Sequence, residues 1–150
     1  LISIFMFMIG IPVSSMLSDK YGRKPILTVT SLIMIAFGFS FPFFLGIDNA
    51  DRNSVLGFLV VGMFIMGLIF GPMSAVLPEL FPTNVRYTGS GIAYNVSSIL
   101  GAAVAPFIAT WLVSSYNVNF VGYYLIIVCF ISLIAIIMMQ ELKDHDLSQV

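Results

Sequence analysis

Glu79 and Arg86 sit in a polar interval that runs from Pro78 to Gly91, and Tyr94, Asn95 and Ser98 follow it directly. A carboxylate and a guanidinium at an aqueous edge can hold one another, or a third charged group, through charge-assisted hydrogen bonds. In full solvent the same pair contributes little, and the interval is then a solvated turn. Tyr94, Asn95 and Ser98 are the densest set of hydrogen-bonding side chains in any apolar run, suited to contact a polar ligand or to bond a neighbouring helix. The chemistry on offer is holding and releasing, not bond making. The apolar runs carry no paired carboxylates, no Ser/His pair and no set of metal ligands, so an enzyme has no support there and no cofactor or metal is implied.

The elements that must position these residues follow from composition. Hydrophobic residues make up 59% of the 150 and charged residues 9%, with a mean hydropathy of +1.06. A soluble domain carries roughly a quarter charged residues. The chain therefore reads as an all-α, polytopic transmembrane helical bundle whose surroundings are the lipid bilayer. The net charge of −1 leaves no basic stripe for nucleic acid. Cys129 is the single cysteine, which excludes an intrachain disulfide and a cysteine-based metal cluster.

With about 20 residues needed per span, the apolar runs predict spans over 1–17, 25–46, 54–77, 91–113 and 120–139, then a polar tail over 140–150. The first is read as truncated, so the chain is expected to be a piece of a longer polypeptide. A charge at a helix centre costs about 2.5–3.5 kcal/mol, and the runs avoid them. Ser18 to Lys24 is expected to be a short loop holding Asp19, Lys20, Arg23 and Lys24, with Gly22 allowing a tight reversal. Ile47 to Asn53 and Ser114 to Asn119 are further loops, and Pro42 is expected to kink the far end of the second span. Pro78 and Pro82 disfavour a continuous helix through the polar interval, and Thr88 or Ser90 is expected to cap the helix that restarts near Gly91.

Two stripes of small residues recur every four positions: Gly67, Gly71 and Ala75, and then Ala93, Ser97, Gly101, Ala105 and Ala109. Such stripes let a neighbouring helix backbone come close, so both spans are expected to pack tightly, although ordinary glycine usage in membrane helices also accounts for the first. The sequon Asn95-Val96-Ser97 lies inside a span and carries no glycosylation meaning. His145, among Lys143, Asp144 and Asp146, reads as solvated. Alternating loops put Lys20, Arg23, Lys24, Arg86 and Lys143 on one side and Arg52 on the other, so the first side is expected to be cytoplasmic.

The segment Ser15-Met16-Leu17-Ser18-Asp19-Lys20-Tyr21-Gly22-Arg23-Lys24-Pro25-Ile26-Leu27 resembles the signature loop of the major facilitator superfamily, with Ser15 in place of its first glycine. Pro78-Glu79-Leu80-Phe81-Pro82-Thr83, followed by Arg86-Tyr87-Thr88-Gly89, is similar to the loop between spans ten and eleven of the metabolite/proton symporters and the related sugar porters. Tyr94-Asn95, Ile99-Leu100-Gly101 and Ala105-Pro106-Phe107-Ile108-Ala109-Thr110 resemble the symporter branch, whose members carry shikimate, α-ketoglutarate, citrate, proline or betaine. Glu141 to Leu147 is a degraded form of the signature after the last span.

The resemblance implies spans eight to twelve of a twelve-span carrier in the cell (inner) membrane, working by alternating access around a midplane site. It implies a small polar metabolite as substrate, an organic acid or zwitterion, with protons as the coupling ion and an upstream half as structural partner. It further implies a cytoplasmic gate of Asp19, Arg23, Glu79 and Arg86, with Gly22, Lys24, Pro82 and Gly89 as signature-loop residues and Tyr94, Asn95 and Ser98 as substrate-contact candidates. No span holds an acid or a base, so a proton-binding carboxylate is expected upstream. The alternatives are a sugar-porter-like carrier, and a truncated remnant that transports nothing.

Overall fold

The computed structural model describes residues 1–45 and 51–139, and within them the chain is helical. The elements are α1 (Ile2–Tyr21), α2 (Arg23–Phe39), α3 (Phe41–Leu45), α4 (Arg52–Glu79), α5 (Arg86–Ser98), a π-helical segment (Ile99–Val104), α6 (Ala105–Ser115) and α7 (Val118–Met138). Four stretches, Ile2–Tyr21, Arg52–Glu79, Arg86–Ser115 and Val118–Met138, are each long and apolar enough to cross a membrane. The chain is an integral membrane protein. Gly46, Asp48 and the whole tail from Gln140, including Glu141, Lys143 and His145, lie outside the described residues.

The expected loop over Ser18 to Lys24 shrinks to one residue. α1 continues through Asp19 and Lys20 to Tyr21, and α2 begins at Arg23. Gly22 alone reverses the chain, at φ 101 and ψ 156, a conformation closed to residues with a Cβ. At the far end of the second apolar run, Ser40 separates α2 from the short α3, where Pro42 falls in the first turn, the one place in a helix that needs no N–H.

Packing is led by the stripe on α4. α1 runs along α4 over the most extensive interface in the bundle, and α2 packs chiefly on α7. Gly67 and Gly71 meet Gly10 and Ser14 of α1, and a Cβ on Gly67 would stand 2.5 Å from the Phe7 carbonyl oxygen. Small residues are what such a crossing requires in lipid, where helices gain from close packing instead of from expelling water. α2 and α7 cross in the same way, with a Cβ on Gly122 placed 2.7 Å from the Gly38 carbonyl oxygen. At that end of the bundle Phe58 of α4, which is buried, stacks on Phe37 at 4.3 Å and meets Phe41 edge-on at 4.8 Å.

The fourth span departs from expectation in two respects. It is not one regular helix: residues 99–104 widen to a π-helix just before Pro106, which supplies no N–H and whose ring would crowd the carbonyl of Ala102 in a regular α-helix. Nor is its stripe packed within this chain. No residue of Arg86–Ser115 is buried, and a Cβ on Gly101 would meet nothing within 4 Å. Among the described residues the span touches the other helices only through α5 against α4 and α6 against α7.

Candidate functional site

The single-residue turn at Gly22 decides where the signature cations go. Arg23 and Lys24 become the first two residues of α2, at the end of the bundle where α1 and α4 finish and α5 starts. Arg23 Nη1 forms an ion pair with Glu79 Oε2 on the last turn of α4, 56 residues further along the chain. The two side chains are 20% and 17% exposed, so the pair is largely shielded from solvent, where a charge-assisted bond is stronger than at an open surface. Lys24 Nζ instead reaches α7 and donates to the carbonyl oxygens of Ile137 at 2.7 Å and Met139 at 2.6 Å.

The polar interval is shaped by its prolines and by Gly89. Pro78 is accepted within the last turn of α4, and the helix stops before Pro82, which disfavours helical backbone at Phe81. Pro82 opens a turn in which the Val85 N–H donates to the Pro82 carbonyl at 3.1 Å. The Phe81 ring folds over Gly89 so closely that a Cβ there would collide with it. Arg86 donates through Nε to the Phe81 carbonyl at 3.2 Å, while its Nη2 is buried and has no hydrogen-bond partner among the described residues. Asp19 is exposed on the last turn of α1. The structure thus joins Arg23 to Glu79 and leaves Arg86 turned to its own loop backbone.

The expected cap is corrected. The helix restarts at Arg86, well before Gly91, with Val85 as its N-terminal flank and no side-chain cap. Ser90 Oγ donates back to the Arg86 carbonyl at 2.6 Å, a bond made inside a helix and not at its entrance.

Tyr94, Asn95 and Ser98 are exposed on α5, with Tyr94 and Ser98 one turn apart on one face. Asn95 Nδ2 donates to the Gly91 carbonyl of its own helix at 2.8 Å. Among the described residues the three side chains lie on an open surface of a span that has no buried residue.

Two parts of this arrangement escaped the sequence reading. Gly10, Ser14 and Ser18 are buried on α1 at the same four-residue spacing as Gly67, Gly71 and Ala75, and that matched period was a signal open to view. The capping role of Lys24 had no local signal, because its partners lie 113 and 115 residues away.

The model of the Major Facilitator Superfamily matches residues 1–148. The chain is 46% identical over 142 residues, 94% of its length and 32% of the relative's, to the inner membrane metabolite transport protein YhjE of Escherichia coli. It is 34% identical over 141 residues to the proline/betaine transporter of Escherichia coli, covering 91% of this chain and 27% of that one. The shikimate transporter of the same organism is 27% identical over 134 residues, covering 87% of this chain and 30% of the relative. The chain thus spans about a third of the length of the relatives it matches. No solved structure matches it. With nearly every residue inside the family match and an apolar helical bundle around a signature turn, the chain belongs to the Major Facilitator Superfamily.

Proposed function

We propose that this chain is part of a secondary active carrier that moves a small polar metabolite, an organic acid or a zwitterion, across the inner membrane by proton symport and alternating access. The observation that carries the reading is the shielded Arg23–Glu79 pair, which ties the start of α2 to the end of α4 on the side richest in cations. A pair of this kind can bias two conformations by a few kcal/mol when it is remade or exchanged between them. Asp19 and Arg86 complete the gate. The buried Nη2 of Arg86, without a hydrogen-bond partner among the described residues, gives the cluster capacity for a further acid, since a buried guanidinium nitrogen is costly to leave unpaired.

The cluster faces the cytoplasm on this reading, because Lys20, Arg23, Lys24 and Arg86 gather at one end of the bundle and Arg52 stands at the other. Tyr94, Asn95 and Ser98, exposed on α5, are the side chains that meet the substrate on this reading. The relatives named for proline/betaine and shikimate transport support a zwitterion or an organic acid. No acid or base lies in the apolar interior of the described helices, so the proton-binding group belongs to the upstream part of the carrier.

The test is uptake by cells expressing the full coding frame, with labelled organic acids, betaines and sugars, each with and without a protonophore. Uptake of an organic acid or betaine that the protonophore abolishes is the expected result. Sugar uptake that ignores the protonophore overturns it.

A further inference from the structure

We propose that Lys24 is a positioning residue: it caps the C-terminal end of α7 from a distance and thereby fixes the turn that presents Arg23 to Glu79. The last four carbonyls of any helix lack intrahelical partners, and together they carry about half a negative charge. Among the described residues, α7 answers two of them itself, through the Met139 N–H on the Ala135 and Ile136 carbonyls, and leaves the later ones open to a donor from elsewhere. Its last turn holds no basic residue, and Met139 leaves it in an extended conformation, φ −69 and ψ 140, without the left-handed glycine that closes many helices. The ammonium of Lys24 supplies what is missing, with two of its three donors placed on the Ile137 and Met139 carbonyls.

The same contact explains an anomaly in α2. Its first turn carries two cations, Arg23 and Lys24, and no acid, which sets both charges at the positive end of the helix dipole. A local rule broken twice in succession points to tertiary compensation. Arg23 finds it in Glu79 at the end of α4, and Lys24 finds it at the end of α7. The two bonds pull from one turn toward two helix ends, and Gly22 is the pivot. α2 and α7 are then fastened twice, by the Gly38–Gly122 crossing at one end and by Lys24 at the other. A shift of the end of α7 therefore moves the turn that holds Arg23. The consequence for transport rests on reading Arg23–Glu79 as a gate; the cap itself does not.

The experiment uses the full-length carrier in membranes and compares Lys24→Met, Lys24→Arg and Glu79→Gln by hydrogen–deuterium exchange and by uptake. In Lys24→Met, amides of the last turn of α7 should exchange about 3- to 10-fold faster, in line with the loss of a charged helix-end contact, and uptake should fall. Lys24→Arg should restore both, because a guanidinium can also donate to two carbonyls. Glu79→Gln should leave exchange at the end of α7 unchanged, which separates the cap from the gate. Should Lys24→Met fail to insert, Lys24→Gln, which keeps a shorter donor, takes its place with the same expectation. Unchanged exchange overturns the cap. Faster exchange with unaltered uptake overturns the positioning role, provided that Glu79→Gln does lower uptake. If Glu79→Gln leaves uptake intact, the gate fails and the cap stands or falls on exchange alone.

Discussion

Gly10 of α1 and Gly67 of α4 meet backbone to backbone: a Cβ on Gly67 would stand 3.2 Å from the Gly10 Cα. One turn further along, Ser14 is fully buried and its hydroxyl donates to the Ile11 carbonyl at 3.0 Å, with the Gly67 carbonyl at 3.5 Å. The crossing sets the angle at which α4 delivers Glu79 to Arg23, so its geometry bears on the site as well as on stability.

Gly67→Leu should therefore cost about 1–3 kcal/mol through overpacking, read as a lower midpoint of thermal unfolding for the carrier in detergent. Gly57→Ala is the control, because a Cβ there meets nothing within 4 Å. It should be neutral or slightly stabilising, since alanine is the better helix former. Equal losses from both substitutions would show that the crossing is not what the glycine serves.

Phe58 holds the opposite end of the bundle, stacked on Phe37 and edge-on to Phe41. Phe58→Ala should cost about 3–5 kcal/mol, as large-to-small changes at buried aromatic positions do, while Phe58→Leu should lose less. Thermal unfolding ranks the two, and an Ala variant as stable as the parent contradicts the packing.

Glu79→Gln keeps the shape of the side chain and removes the charge that pairs with Arg23. Breaking one side of a largely shielded pair should cost about 2 kcal/mol. Cytoplasmic accessibility of an engineered cysteine should rise and transport should fall, with substrate binding retained. The exchange Arg23→Glu with Glu79→Arg should recover part of the loss that either single change causes. Transport at the parental rate in Glu79→Gln counts against the gate.

Asn95→Ala and Tyr94→Phe each delete a hydrogen-bonding group on the open face of α5. If that face meets substrate, KM should rise by about 10-fold per bond, corresponding to roughly 1.4 kcal/mol, with thermal stability unchanged. A fall in stability at constant KM instead assigns these side chains to helix packing.

Composition and four-residue periods made much of this protein legible in its sequence. The charge-free runs required an α-helical membrane bundle, because only a helix or a closed barrel satisfies its backbone in lipid. The Gly67–Gly71–Ala75 stripe announced a close crossing, and the signature residues marked Arg23 and Glu79. Period alone cannot name the partner of a stripe, and Gly10 and Ser14 became that partner only when α1 lay against α4. The equally regular stripe from Ala93 to Ala109 stays open within this chain, since spacing sets which side chains share a face and not what faces them. Lys24 is the furthest case. Its identity was plain, but its work depends on the end of a helix more than a hundred residues away, and contacts across such a separation exist only once the chain has folded.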